Sequence, residues 1–169
     1  MFGKLKLEDL QTLYIDELKD AYDFEHQILE ALPKMEKAAR ADELKSAFRE
    51  HRRQTEGQVK RLEQVFESLG EKPSRKTCHG MKGLIKEGEE YIKAKGDHDA
   101  IDAALISAAQ RVEHYEMAAY GTLRTYAKTL GHPSEANLLQ QSLEEESGAD
   151  TKLTHLAESG INVHASAHA

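Results

Sequence analysis

The stretch Val112-Glu113-His114-Tyr115-Glu116 lies in the middle of the longest uninterrupted helical pattern in the chain. Glutamates three residues apart share one face of a helix. That face also carries Ala109, Val112, Ala119 and Leu123, so it points at protein rather than at water. A buried carboxylate needs a partner, and two side by side need a cation or shared protons. Finding that partner decides how the rest of the chain is read.

Outward from this stretch, the apolar residues recur at steps of three and four, the period of an amphipathic helix. The spacing predicts a first long helix from about Leu7 through Leu10, Tyr14, Leu18, Ala21, Glu25, Ile28 and Leu32, kinked at Pro33 and continuing past Met35. After a tight turn at Ala41-Asp42, with Asp42 as N-cap, a second helix carries Leu44, Phe48, His51, Thr55, Val59, Leu62 and Phe66 and ends near Gly70. A polar, Pro-broken connection leads to a shorter helix over roughly Met81–Lys95. A third long helix is expected over about Ala100–Leu130, started by an aspartate of the Gly96-Asp97-His98-Asp99 break. Gly131-His132-Pro133-Ser134 reads as a stop followed by a serine-capped restart. The fourth long helix then carries Leu139, Leu143, Glu146, Asp150, Leu153 and Leu156.

Nothing in the sequence has the period-two alternation of a strand. The pattern is all-α: two tight helical hairpins joined by a link of roughly 30 residues that holds a short fifth helix. A link of that length runs the length of a bundle, the single-crossover arrangement of ferritin-like four-helix bundles. Residues 1–160 read as one domain, and residues 161–169 as a flexible tail without periodicity.

Composition narrows the function. The 169 residues suit one domain with a true core, and the net charge of −7 leaves no unbalanced basic stripe for a nucleic acid. Arg52, Arg53, Lys60 and Arg61 alternate with Glu50, Glu56 and Glu63, the pattern of a solvated helix face. No apolar run is long enough to span a membrane and the N-terminus has no signal-peptide pattern, so a cytoplasmic protein is expected. Cys78 is the single cysteine, which excludes an intramolecular disulfide and a cysteine metal cage.

Each long helix has one place where a potential metal ligand interrupts its apolar stripe. These are Glu25 on the first; His51, Gln54 and Gln58 on the second, with Glu56 at the edge; Glu113 and Glu116 on the third; and Glu146 and Asp150 on the fourth. Counted back from the turns at Ala41 and Pro133, Glu25 and Glu116 lie about 16 and 17 residues away, or roughly 24–26 Å at 1.5 Å per residue. All four interruptions therefore fall near mid-bundle. Oxygen-rich sites with an occasional imidazole and no thiolate suit Fe²⁺ or Mn²⁺, and bridging carboxylates can hold two such ions about 3.5–4 Å apart. The tyrosines Tyr115, Tyr120 and Tyr126 read as packing groups.

The chain resembles the YciF-type ferritin-like bacterial stress proteins, relatives of the YciE group. The matching segments are Ala31-Leu32-Pro33-Lys34-Met35, Thr55-Glu56-Gly57-Gln58-Val59, Gly83-Leu84-Ile85-Lys86-Glu87-Gly88, Asp102-Ala103-Ala104-Leu105-Ile106, Val112-Glu113-His114-Tyr115-Glu116 and Tyr120-Gly121-Thr122-Leu123. The resemblance implies a five-helix fold similar to part of rubrerythrin, a role in stress responses, a homodimer, and a dinuclear iron or manganese centre. It places metal ligands on Glu25, Glu113, Glu116 and Glu146, with His51 as a ligand or its support. Where the family commonly reads His-x-x-Glu on the second helix, this chain has His51-Arg52-Arg53-Gln54, an amide in place of a carboxylate.

Two functions follow as expectations. One is a di-iron or di-manganese oxidoreductase acting on peroxide or dioxygen through Glu25, His51, Gln54, Glu113, Glu116 and Glu146. The other is a non-catalytic helical bundle acting through dimerisation or partner binding, its acidic belt protonated or hydrogen-bonded.

Overall fold

The computed structural model describes residues 6–167; Met1–Leu5, His168 and Ala169 lie outside them. Five helices form the body: α1 (Leu10–Ala38), α2 (Asp42–Ser68), α3 (His79–Ile92), α4 (His98–Thr129) and α5 (Pro133–Leu156). There is no strand among the described residues. Helix α1 packs on α2, α2 on α5, α5 on α4 and α4 on α1, closing a four-helix bundle, and α3 lies across the α1–α4 seam. This is the single-crossover topology expected from the long middle link.

The stripes become the core as the period predicts. Tyr14, Leu18, Phe24, Leu62, Phe66 and Leu123 are almost wholly buried towards the α4–α5 turn, and Leu44, Phe48, Leu105 and Leu153 towards the α1–α2 turn. Each such side chain contributes about 1.5–3 kcal/mol on leaving water. Helix α1 runs through Pro33 to Ala38, its missing N–H outweighed by the burial of Leu32 and Met35. Positive φ values at Gly70 (71°) and Gly131 (81°) end α2 and α4 in the left-handed conformation open to glycine.

The crossover is fastened at Asp23 of α1, which is buried. Its carboxylate accepts hydrogen bonds from the Cys78 backbone N–H (2.8 Å), Gln27 Nε2 (2.6 Å) and Arg75 Nε (2.8 Å). Burial alone would raise its pKa, but these donors hold it below the usual carboxylate value. Beyond the anchor, α3 buries Met81 completely and approaches α4 so closely that a Cβ on Gly80 would stand 2.7 Å from the Tyr115 ring.

Several helix ends differ from the sequence reading. Helix α1 begins at Leu10 behind the Asp9 cap, not at Leu7. Asp42 is the first residue of α2 and not its cap; it is exposed and pairs with Lys45. The carboxylate that serves this turn comes from α4: buried Asp102 accepts the N–H groups of Arg40 (2.8 Å) and Ala41 (2.7 Å). Ser134 does not cap α5, because Pro133 takes the first helical position and makes His132 the preceding residue. Asp97 does cap α4, accepting the Ala100 N–H. The α3 span is His79–Ile92 rather than Met81–Lys95. Past Gly160, where sequence periodicity fades, the chain stays helical through a π-type turn (Ala157–Ile161) and α6 (Asn162–Ser166), because Ala157 and Ile161 are buried against α4.

Replacing Asp102 by Ala leaves two backbone N–H groups without their charged acceptor. Urea unfolding of Asp102→Ala should show a loss of about 2–3 kcal/mol, whereas Asp42→Ala should change stability by less than about 0.5 kcal/mol.

Candidate metal centre

The polar interruptions converge inside the bundle. Helix α2 supplies His51, α4 supplies Glu113 and Glu116, and α5 supplies Glu146; one ligand atom from each lies within 4.8 Å of the other three. His51 Nε2 stands 3.4 Å from Glu113 Oε1, 3.9 Å from Glu116 Oε2 and 3.7 Å from Glu146 Oε2. All four side chains are buried. They meet because each occupies the inward phase of its stripe: Glu113 and Glu116 follow Ala109, and Glu146 precedes Leu153 by two turns.

Glu25 of α1 lies outside that group of four but close enough for the Glu146 carboxylate to act on it. It is fully buried, and its Oε1 accepts a hydrogen bond from the Tyr120 hydroxyl. Gln58 Nε2 donates a hydrogen bond to Glu146 Oε1 and another, of 3.1 Å, to Glu145 Oε2. With every carboxyl ionised, a set of buried atoms is left without a hydrogen bond: Glu25 Oε2, both ring nitrogens of His51, Gln58 Oε1, Glu113 Oε2, both oxygens of Glu116 and Glu146 Oε2; a proton shared with Glu146 would join Glu113 or Glu116 to it. Native interiors rarely leave such atoms unpaired.

The charge on this cluster is poorly balanced by protein. Arg61 is the cation felt at Glu25, but its guanidinium is committed to Glu145 and to Ser142 Oγ at 2.9 Å. Burial, reinforced by the Glu146 carboxylate, raises the pKa of Glu25, Glu113 and Glu116 well above the ordinary glutamate value. Burial and the Glu25 carboxylate likewise raise that of Tyr120. Four carboxylates and one imidazole with free lone pairs form a hard, oxygen-rich donor set with a single nitrogen, which fits Fe²⁺ or Mn²⁺. Cys78, the only thiol, is buried elsewhere, 3.1 Å from the Tyr115 hydroxyl.

The remaining sequence candidates divide. Gln54 is half-buried in the wall of a cavity that also reaches His51 and Glu113. Glu56 is exposed and pairs with Arg52. Asp150 stands off the cluster, accepting from Gln110 Nε2 at 3.1 Å and facing His114 Nε2 at 3.4 Å. Tyr120 was read as packing and is also the partner of Glu25; its signal was its position four residues after Glu116, on the same face. Gln58, seven residues after His51, keeps the His51 phase more closely than Gln54 does, and is the fully buried one.

Raised glutamate pKa values have a definite consequence for metal-free protein. The folded state binds more protons than the unfolded one, so these groups favour folding at low pH and lose that contribution as pH rises through the folded pKa values. Asp23 and Glu135, held low, matter only below about pH 4, and His26, also held low by burial, works weakly in the opposite sense near neutrality. Chelator-treated protein should therefore melt at lower temperature at pH 7.5 than at pH 5.5. Glu116→Gln should flatten that slope and raise the metal-free melting temperature at pH 7.5 by roughly 3–6 °C.

With this geometry in view, the chain's likeness to known proteins is close. It is 43% identical over 159 residues to protein YciF of Escherichia coli, covering 94% of this chain and 96% of that protein. The crystal structure of the E. coli stress protein YciF superposes with a TM-score of 0.89 over 92% of this chain and 99% of that one, at 43% identity. YcfI of Rhodopseudomonas palustris gives 0.87 at 41% identity, covering 90% of this chain and 98% of its own. A Xanthomonas campestris protein shares the fold at 20% identity, with a TM-score of 0.73 over 94% of this chain and 97% of its own. A profile described as a domain of unknown function, DUF892, matches residues 9–166. The chain belongs to the DUF892 family and is YciF-like in sequence and in fold.

Proposed function

We propose that this protein is a stress-response metalloprotein that holds divalent iron or manganese in its mid-bundle cluster and acts on peroxide or dioxygen. The observation that carries the reading is the set of unpaired buried oxygens and imidazole nitrogens of His51, Glu113, Glu116 and Glu146. His51, Glu113, Glu116 and Glu146 would hold the metal, with the Glu25 carboxylate beside them available to a second ion. When bound, redox-active iron or manganese supplies the electrons that reduce peroxide or dioxygen.

The chain's own residues account for the rest. Tyr120 fixes the carboxylate of Glu25 through its hydroxyl, and Gln58 fixes that of Glu146, so each presents its free oxygen to the cluster. Arg61, engaged with Glu145, adds positive potential nearby without occupying a ligand oxygen. Because Glu25, Glu113 and Glu116 hold protons more tightly than ordinary glutamates, cation binding must displace those protons. Affinity should therefore increase with pH.

Elemental analysis of protein purified without added metal, and again after reconstitution with Fe²⁺ or Mn²⁺, tests the reading. We expect at least one ion per chain, with affinity that weakens from pH 8 to pH 6. Less than one ion after reconstitution would favour the structural, non-catalytic role. Glu116→Ala should abolish binding, and Glu56→Ala should leave it unchanged. Gln54→Glu, which places a carboxylate in the wall beside His51, should tighten binding on the order of tenfold, measured by competition with a chelating dye.

A further inference from the structure

The two sides of the cluster are built differently. On the α1–α4 side, α3 lies over the seam, and the void between it and the cluster is about 30 Å³, walled by aliphatic side chains such as Ile28, Leu32, Ile85 and Ala108. His51 and Glu113 border this void too, but its exposed wall is almost wholly apolar and it holds about one small molecule. The opposite seam, between α2 and α5, has no helix across it among the described residues. There a cavity of about 220 Å³ reaches from the surface to His51 and Glu113, whose buried ring nitrogens and Oε2 lack hydrogen bonds. It has room for several waters. Its mouth carries the Glu50–Lys152 ion pair, both partners about half exposed.

Small residues keep this cavity open: Ala47 on α2, and Gly148 and Ala149 on α5. Gly148 is the telling one. It sits inside α5 without a positive φ, and a Cβ placed on it would meet nothing within 4 Å. Neither backbone conformation nor close packing calls for glycine there, and glycine weakens a helix interior. Gly148 is exposed and borders the cavity, so its absent side chain leaves open space at the cavity's outer wall.

We propose that the α2–α5 cavity is the port through which a hydrated divalent cation reaches the His51–Glu113 edge of the cluster, held open by Gly148. The inference rests on the metal-binding reading above and adds the route. Glu50 at the mouth and the carboxylates behind it draw cations inward, and Lys152 opposes them. His51 and Glu113, the two cluster residues that line the cavity, are the first to exchange hydration waters for protein ligands.

Co²⁺ uptake by metal-free protein, followed by visible absorption in a stopped-flow instrument, tests this. Gly148→Leu should slow uptake at least tenfold and slow release to a chelator by a similar factor, with final stoichiometry unchanged. Gly83→Leu, an equally open helical glycine on α3 at the far side, should take up Co²⁺ at the wild-type rate. Lys152→Glu should accelerate uptake several-fold at low salt, the gain fading as ionic strength rises. Circular dichroism melting of each metal-free variant confirms that it is folded. Wild-type protein that binds Co²⁺ while Gly148→Leu fills within twofold of its rate overturns the port alone. Wild-type protein that binds no Co²⁺ overturns the metal reading and the port with it.

Discussion

Convergence of four carboxylates in an apolar interior is the constraint on which the structure depends. Removing a carboxylate from water costs several kcal/mol even after relaxation, and Glu25, Glu113, Glu116 and Glu146 are each at most 2% exposed. They are held there by the apolar layers above and below them, anchored by Tyr14, Leu62 and Phe66 towards one end and by Leu44, Phe48 and Leu105 towards the other. The protein supplies only part of the compensation: a tyrosine hydroxyl on Glu25, an amide on Glu146 and an imidazole between three of the four. Protons can supply the rest at low pH, and under the proposed function a divalent cation would supply it at neutral pH.

The crossover gives the bundle a front and a back. Asp23 ties the long connection to α1, and α3 then covers one seam with aliphatic side chains. On the opposite seam, α2 and α5 meet through small residues and polar partners, including Arg61 with Glu145 and Lys152 with Glu50. The void on one seam is therefore small and almost wholly apolar, and the cavity on the other is larger and has charged side chains at its mouth. A symmetric up-down-up-down bundle has no such distinction, because it has no extra helix to place on one side.

Much of this was legible in the chain. The three-four spacing marked the helices, the link lengths marked the crossover, and the coincidence in depth of Glu25, Glu116 and Glu146 pointed to the mid-bundle cluster. Helix ends were the weak point, for a physical reason. Asp42 and Ser134 look like caps because capping is usually local; here the α1–α2 turn takes its carboxylate from Asp102, some 60 residues onward, and Pro133 displaces the cap by one position. The segment after Gly160 showed no periodicity of its own, yet Ile161 finds a buried place against α4.

What the sequence determined alone is what local spacing controls: which residues share a helix face and which helices are antiparallel neighbours. Helical periodicity maps directly onto facing. What only the tertiary structure decided is which side chains meet across helices. Tyr120 and Glu25 are far apart in the chain and form one hydrogen bond; Gln58, not Gln54, reaches Glu146; Asp150 turns to Gln110 and His114 and leaves the cluster. Those outcomes depend on the rotation and offset of each helix against its neighbours, set by how side chains interlock across the seams, and no single stripe contains them.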